Sequence, residues 1–325
     1  MLTSYLKGSK TLGLCSFVAN FSQAFIRPLV RRYSGGIVLV NIEVNLVSSF
    51  TVNGKGGNPA GVVFNANQLS DAQKLKIAQA VGYSETAFVS SDDEADYEVS
   101  FFTTTAEVDF CGHATLATFS TMYQKGIITA GSYVQRTKAG MLSVVIESNG
   151  KVVMEQQLPQ KTDCFSYQEI SNVIGLDSNI LESTKLPIEV ISTGLADVII
   201  PVPNGYLDVI EPDDELIADF CKKHKVVGFH VFELCEPESE LTASCRNFAP
   251  LFGISEESAT GSSSGALACY LTEHLALGGD YVFEQGRAMS CTSIITASVE
   301  TDHSTVINVK VGGFATSLGA VVIPI

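Results

Sequence analysis

Two short runs about 150 residues apart constrain this chain more than any other feature. The first is Phe110-Cys111-Gly112-His113-Ala114-Thr115-Leu116-Ala117, and the second is Ala259-Thr260-Gly261-Ser262-Ser263-Ser264-Gly265-Ala266-Leu267-Ala268. Each precedes an apolar stretch with helical spacing, so each marks a helix start. Ahead of the first, residues 98–102 read as a strand; after it, residues 114–123 read as a helix with Gly112 and His113 at its N-terminus. After the second, apolar periodicity over residues 266–275 makes the serine run a helix start rather than a linker. Free N–H groups and the positive end of the dipole favour a carboxylate or enolate oxygen at such a terminus. One chain is therefore expected to hold two anion cradles that face each other.

The remaining pattern reads as a loose duplication. The first half predicts a strand over 37–50, a turn through Asn53-Gly54-Lys55-Gly56-Gly57-Asn58-Pro59 and a strand over 61–64. A helix over 71–81 follows, capped by Ser70 and ended by Gly82, then a strand over 85–89 and further strands within 134–146 and 152–158. In the second half Thr193-Gly194-Leu195-Ala196-Asp197 matches the pattern of Gly57-Asn58-Pro59-Ala60-Gly61, with a helix predicted over 213–223 and a strand over 226–234. Two similar α+β domains across a cleft are the economical account.

Composition narrows the function. With 325 residues, 46% of them hydrophobic, the chain can bury two medium cores. A formal charge of −15 leaves no basic stripe to neutralise phosphates, which excludes nucleic acid as a partner. No run reaches the roughly 18 to 20 apolar residues of a membrane span, so no membrane partner is expected. The eight cysteines show no Cys-x-x-Cys spacing and the five histidines are scattered, so a reducing compartment and no structural metal are expected. Gly56-Gly57-Asn58-Pro59 is not a nucleotide loop but a turn that lets backbone approach the cleft. Residues 1–36 carry Lys7, Lys10, Arg27, Arg31 and Arg32 with no acid. They read either as a mitochondrial transit peptide ending near Arg31-Arg32-Tyr33-Ser34 or as an N-terminal extension, with the fold beginning near Ile37. The expected compartment is the cytoplasm, or the mitochondrion if the segment is a transit peptide.

Five motifs occur in order: Gly57-Asn58-Pro59-Ala60-Gly61-Val62-Val63, Ser84-Glu85-Thr86-Ala87-Phe88-Val89, Phe102-Thr103 with Glu107, Cys111-Gly112-His113-Ala114-Thr115, and Glu256-Glu257-Ser258-Ala259-Thr260-Gly261-Ser262. Together they resemble the PhzF-like family of phenazine biosynthesis proteins, of the diaminopimelate epimerase-like fold, from about residue 40 to the C-terminus. The resemblance implies two pseudo-symmetric domains, each a β-barrel-like sheet around a central helix. Residues 37–155 plus 308–325 would form the first and residues 156–307 the second, with Gly312-Gly313-Phe314-Ala315 opening the segment that returns. It implies a cofactor-independent isomerase of a small carboxylic acid, without a metal, with a homodimer open as its assembly. Glu85 takes the place of the proton-moving glutamate, and His113 and Glu257 match the other two polar positions. Ser84, Gly112, Thr260, Gly261 and Ser262 are the expected substrate contacts.

Read without that resemblance, Glu85 is a surface glutamate at a strand start, and Glu257 is either solvated or an orienting group. His113 should stay neutral because the helix dipole opposes an imidazolium. Cys111 reads as a packing residue, although a helix N-terminus lowers a thiol pKa. The chain departs from the family in having Glu257-Ser258 where Asp-Pro is usual, one methylene longer and without proline's fixed φ. Related racemases and epimerases use two thiols, whereas here Cys111 faces Thr260, whose hydroxyl is no carbon-acid base near neutral pH. An amino-acid racemase and a catalytically silent small-acid binder or interaction protein are the alternatives.

Overall fold

Both small-residue runs open helices, Gly112–Gln124 and Gly261–Leu275, in a computed structural model that describes residues 40–325. The segment 1–36, and the start of the strand expected from Ile37, lie outside the described residues. Residues 113–122 and 263–271 are buried on every side, which is why neither helix is strongly amphipathic. Their Ala, Ser, Thr and Gly residues let strands close tightly around them. The buried hydroxyls bond back along the helices: Thr118 to the Ala114 carbonyl at 2.8 Å, Thr121 to Ala117 at 2.6 Å and Ser264 to Thr260 at 2.9 Å. Leu116, Phe119 and Met122 of one helix share a continuous apolar core with Leu267, Tyr270 and Leu271 of the other.

The first half runs β1 (Asn41–Ser49), β2 (Asn58–Val63), α1 (Asp71–Val81), β3 (Glu85–Ser90), β4 (Tyr97–Phe102), β5 (Glu107–Val108), α2 (Gly112–Gln124), β6 (Gly131–Thr137), β7 (Gly140–Ile146) and β8 (Val152–Glu155). A connection of β9 (Gln160–Phe165), α3 (Tyr167–Ile174) and α4 (Ser178–Glu182) follows. The second half repeats the plan as β10 (Ile188–Ser192), β11 (Ala196–Pro201), α5 (Asp214–His224), β12 (Gly228–Leu234), β13 (Ala243–Ala249), β14 (Ile254–Glu257), α6 (Gly261–Leu275), β15 (Asp280–Gln285), β16 (Ser293–Asp302) and β17 (Thr305–Gly313). The chain ends in β18 (Ala315–Pro324). Boundaries differ from the expected ones by a few residues; β2, for example, begins at Asn58 rather than Gly61 because Asn58 and Pro59 already pair with Ser49 and Ser48 of β1.

Pairing follows the same symmetry. In each half a helix crosses between parallel strands, β2 to β3 through α1 and β11 to β12 through α5. The central helices make the second parallel crossings, β4 to β6 and β13 to β15. The halves exchange their last strands: β9 pairs with β10, β18 pairs with β1, and β8 and β17 join antiparallel in the middle. The result is an α+β fold of two like halves, each wrapped around a buried helix, as the sequence resemblance implies. Among the described residues no helix is long and apolar enough to cross a membrane.

The loop before β2 ties the halves together. The Gly57 carbonyl accepts from the Ser258 hydroxyl at 3.0 Å and from the Cys291 thiol at 3.1 Å. Gly56 has φ +69°, and a Cβ there would stand 1.9 Å from the Thr292 carbonyl oxygen. Gly56→Ala should therefore cost at least about 2 kcal/mol through backbone strain and a clash that no side-chain rotation relieves. A thermal melt should show a fall on the order of 5 °C. An unchanged melting temperature would mean that this loop does not hold the halves in register.

Candidate active site

The two central helices begin side by side, and one side chain reaches both beginnings. Asn58, the first residue of β2, donates from Nδ2 to Glu257 Oε1 at 2.9 Å and to the Ala259 carbonyl at 3.1 Å, and lies 3.4 Å from His113 Nδ1. Its two amide hydrogens serve the two shorter contacts, which makes the histidine a third, longer neighbour. His113 is the second residue of α2, and Ala259 immediately precedes Thr260, the N-cap of α6.

Around His113 stand the groups that could move a proton. Glu85, the first residue of β3, places Oε2 3.3 Å from His113 Nε2, yet no donor is aligned with that oxygen for a hydrogen bond. The Ser84 hydroxyl lies 3.5 Å from the same nitrogen. On the other side of the ring, Cys111 Sγ is 3.4 Å and Glu257 Oε1 3.9 Å from Nδ1. The Ser49 hydroxyl fixes the histidine backbone by donating to its carbonyl at 2.6 Å. The side chains of His113, Glu85 and Glu257 are 6%, 13% and 15% exposed, largely sheltered from solvent. Beyond its chain neighbours and its own helix backbone, nothing would lie within 4 Å of a Cβ at Gly112, so that side of the first turn of α2 fronts open space.

Protonation follows from burial. The His113 pKa is lowered by desolvation, with the Glu85 charge opposing the shift, so the ring is neutral. The Cys111 thiol is raised well above its ordinary value, first by burial and then by Glu85; the Ala114 and His113 N–H groups at the helix start pull it down, as expected, but burial outweighs them. A neutral S–H can donate to Nδ1, and that assignment leaves the imidazole proton on Nε2, toward Glu85. Glu257 is pushed up to about 7, mainly by burial, with the Glu85 charge adding and the hydrogen bonds from Thr260 and Asn58 opposing.

Every residue expected at the site lies at this junction or in the first turns beside it. Ser84, Glu85 and His113 are in mutual contact. Glu257 closes β14 and accepts from the Thr260 hydroxyl. Gly112 and Gly261 are the first residues of α2 and α6. Ser262 is the outlier: its carbonyl accepts from Thr193 at 2.9 Å, outside the cluster around His113.

Two residues have larger roles than the sequence reading gave them. Asn58 belongs to a turn and to the first family motif, which assign it no role at the site. Gln285 was missed; its amide donates to the Glu257 carbonyl at 2.7 Å and to Thr260 Oγ1 at 3.1 Å, while its oxygen accepts from the Thr260 N–H at 3.2 Å. Gln285 follows Tyr281 and Phe283 at alternate positions of β15, so strand periodicity points it inward, and that signal was available.

Known proteins share the sequence pattern and the fold. The sequence profile of the phenazine biosynthesis-like proteins matches residues 47–320. An uncharacterized isomerase from Clostridium acetobutylicum is 34% identical over 285 residues, covering 83% of this chain and 93% of its own. The trans-2,3-dihydro-3-hydroxyanthranilate isomerase of Pseudomonas chlororaphis is 27% identical over 289 residues, covering 84% of this chain and 96% of its own. The crystal structure of a PhzF-family protein from Bacillus anthracis superposes with a TM-score of 0.81 at 29% identity, over 88% of this chain and 99% of that one. A hydroxyproline epimerase from Agrobacterium vitis, 10% identical with a TM-score of 0.56 over 87% of this chain and 91% of that one, shares the fold alone. The chain belongs to the phenazine biosynthesis-like family and is one of its isomerases.

Proposed function

We propose that this isomerase moves a proton within a small carboxylic acid, cyclic or amino-acid-like, without a cofactor, and that Glu85 is the base. The observation that carries this reading is the free lone pair of Glu85 Oε2, 3.3 Å from a neutral imidazole at the meeting of two helix N-termini. Glu85 takes a proton from carbon, the electron pair passes into an enolate-like form of the substrate, and the proton returns to a different atom of the same molecule. First-turn N–H groups of α2 and α6 lack intrahelical acceptors and would hold the substrate's carboxylate as its charge grows. His113, with Nε2 3.3 Å from Glu85 Oε2, passes the proton on. Below about pH 7 Glu257 is an uncharged acid, so an anion enters without facing two carboxylates. The substrate class draws on the Pseudomonas chlororaphis relative, whose name specifies a small cyclic hydroxy amino acid.

Thr260 supports movement on one face. It mirrors Cys111 as N-cap of its helix, and its hydroxyl is committed to Glu257. A panel of small cyclic and amino carboxylic acids incubated with the protein in D2O, followed by NMR, tests the reading. The expected result is a double-bond shift with deuterium entering on a single face. Two-way inversion of an α-carbon that is lost in Cys111→Ala would overturn it in favour of a racemase.

A further inference from the structure

We propose that Gln285 is a positioning residue for the active site: its amide turns the Thr260 hydroxyl onto the Glu257 carboxyl and holds that acid in place between the two helix starts. Gln285 is the last residue of β15 and is buried. Its Nε2 donates to the Glu257 carbonyl at 2.7 Å and to Thr260 Oγ1 at 3.1 Å, and its Oε1 accepts from the Thr260 N–H at 3.2 Å. Only one setting of the amide fits, because a carbonyl oxygen can meet only the NH2 end and a backbone N–H only the oxygen. Both amide hydrogens are then used, and one of them occupies a lone pair of the Thr260 hydroxyl. That hydroxyl has a single hydrogen, which goes to Glu257 Oε2.

A directed chain therefore runs from the Gln285 N–H through the Thr260 O–H to the Glu257 carboxyl. Such a chain strengthens its last bond, since a hydroxyl that accepts one hydrogen bond donates a better one. Asn58 holds the other carboxyl oxygen, Oε1, at 2.9 Å, so each half of the fold fixes one oxygen of Glu257. The backbone brings the grip within reach. Gly286, with φ +84°, sets the end of β15 against the turn after β14; a Cβ there would stand 2.5 Å from the Cys291 carbonyl oxygen and 2.9 Å from that of Ser258. The other titratable groups that face Glu257 are Glu85 of β3, Cys111 and His113 at the start of α2, and Asp197 of β11. Among the influences that oppose burial, the Thr260 bond is the largest, so loosening it should push the Glu257 pKa above about 7.

That this carboxyl takes part in the reaction rests on the function proposed above, whereas its being held by Gln285 does not, so the test reads the carboxyl itself. Full-length protein labelled with 13C at the glutamate carboxyl carbons is titrated by NMR, and the Glu257 signal is assigned by its absence from Glu257→Gln. The parent midpoint is expected near pH 7. Gln285→Met keeps the length of the side chain without its donors, and should raise the midpoint by roughly half a pH unit or more. Thr260→Val deletes the hydroxyl and should raise it by about one. The double variant should go no higher than Thr260→Val, because Gln285 acts through that hydroxyl. An unmoved midpoint in folded Gln285→Met, or a further rise of the same size in the Thr260→Val background, would overturn the proposal. Should Gln285→Met fail to fold, 15N spectra decide: the Gln285 side-chain amide signals of the parent must shift at the Glu257 midpoint, and must shift much less in Thr260→Val. Signals that stay still in the parent, or that shift as far in Thr260→Val, also overturn it. A protein inactive on every acid, whose midpoints nonetheless move as expected, keeps the positioning role and loses the proposed function.

Discussion

Glu85→Gln should fold like the parent protein and lose about 10²- to 10⁴-fold in turnover, the range a positioned general acid/base contributes. The amide keeps the size of the carboxyl group and can accept a hydrogen bond from His113 Nε2. What it lacks is a lone pair basic enough to hold a proton taken from carbon. Packing should be little disturbed, because the oxygen nearest His113 makes no aligned hydrogen bond that the substitution would break. The checks are circular dichroism, a thermal melt and the turnover of any acid found in the D2O screen. Retention of more than about a tenth of the parent rate in a folded variant would remove Glu85 as the base. Restored turnover in Glu85→Asp, slower but measurable, would fit a carboxylate set back by one methylene.

The central helices and the twofold plan were legible because they depend on local periodicity and on small residues at helix starts. The serine run before Ala266 lies within α6 because each buried hydroxyl has a partner: Ser264 bonds to the Thr260 carbonyl, and Ser263 donates to the carboxylate of Asp197 at 2.5 Å. Asn58 was illegible as a site residue for the opposite reason. Its partners stand 55, 199 and 201 residues away in sequence, and no spacing rule spans such distances. The same limit applies to protonation. The charges of Cys111, His113 and Glu257 are set chiefly by desolvation, which depends on tertiary packing and not on the residues next to them in sequence.

Glu257→Gln should make the protein more stable in alkaline solution and leave it almost unchanged in acid. Burial raises the Glu257 carboxyl from its ordinary 4.5 to about 7 in the folded protein. Below about pH 4.5 both the folded and unfolded chains hold the proton, and the group adds no cost. Between there and pH 7 the unfolded chain has released a proton that the folded one keeps, so stability falls as pH rises. Above pH 7 the full cost is present, about 3 kcal/mol by linkage. Glutamine cannot ionise, so the variant escapes that cost. It keeps the hydrogen bonds as well: its oxygen accepts from Asn58, and its amide donates to Thr260 Oγ1, which now donates to Glu257. Melting temperatures of parent and variant, measured across this range, should diverge by several degrees at the alkaline end and converge at the acid end. A pH-independent difference would mean that Glu257 is not held protonated, and the site would then face an entering anion with both carboxylates charged. Where the D2O screen supplies a substrate, the same protonation predicts that kcat/KM of the parent falls above about pH 7, and that Glu257→Gln carries its activity to higher pH.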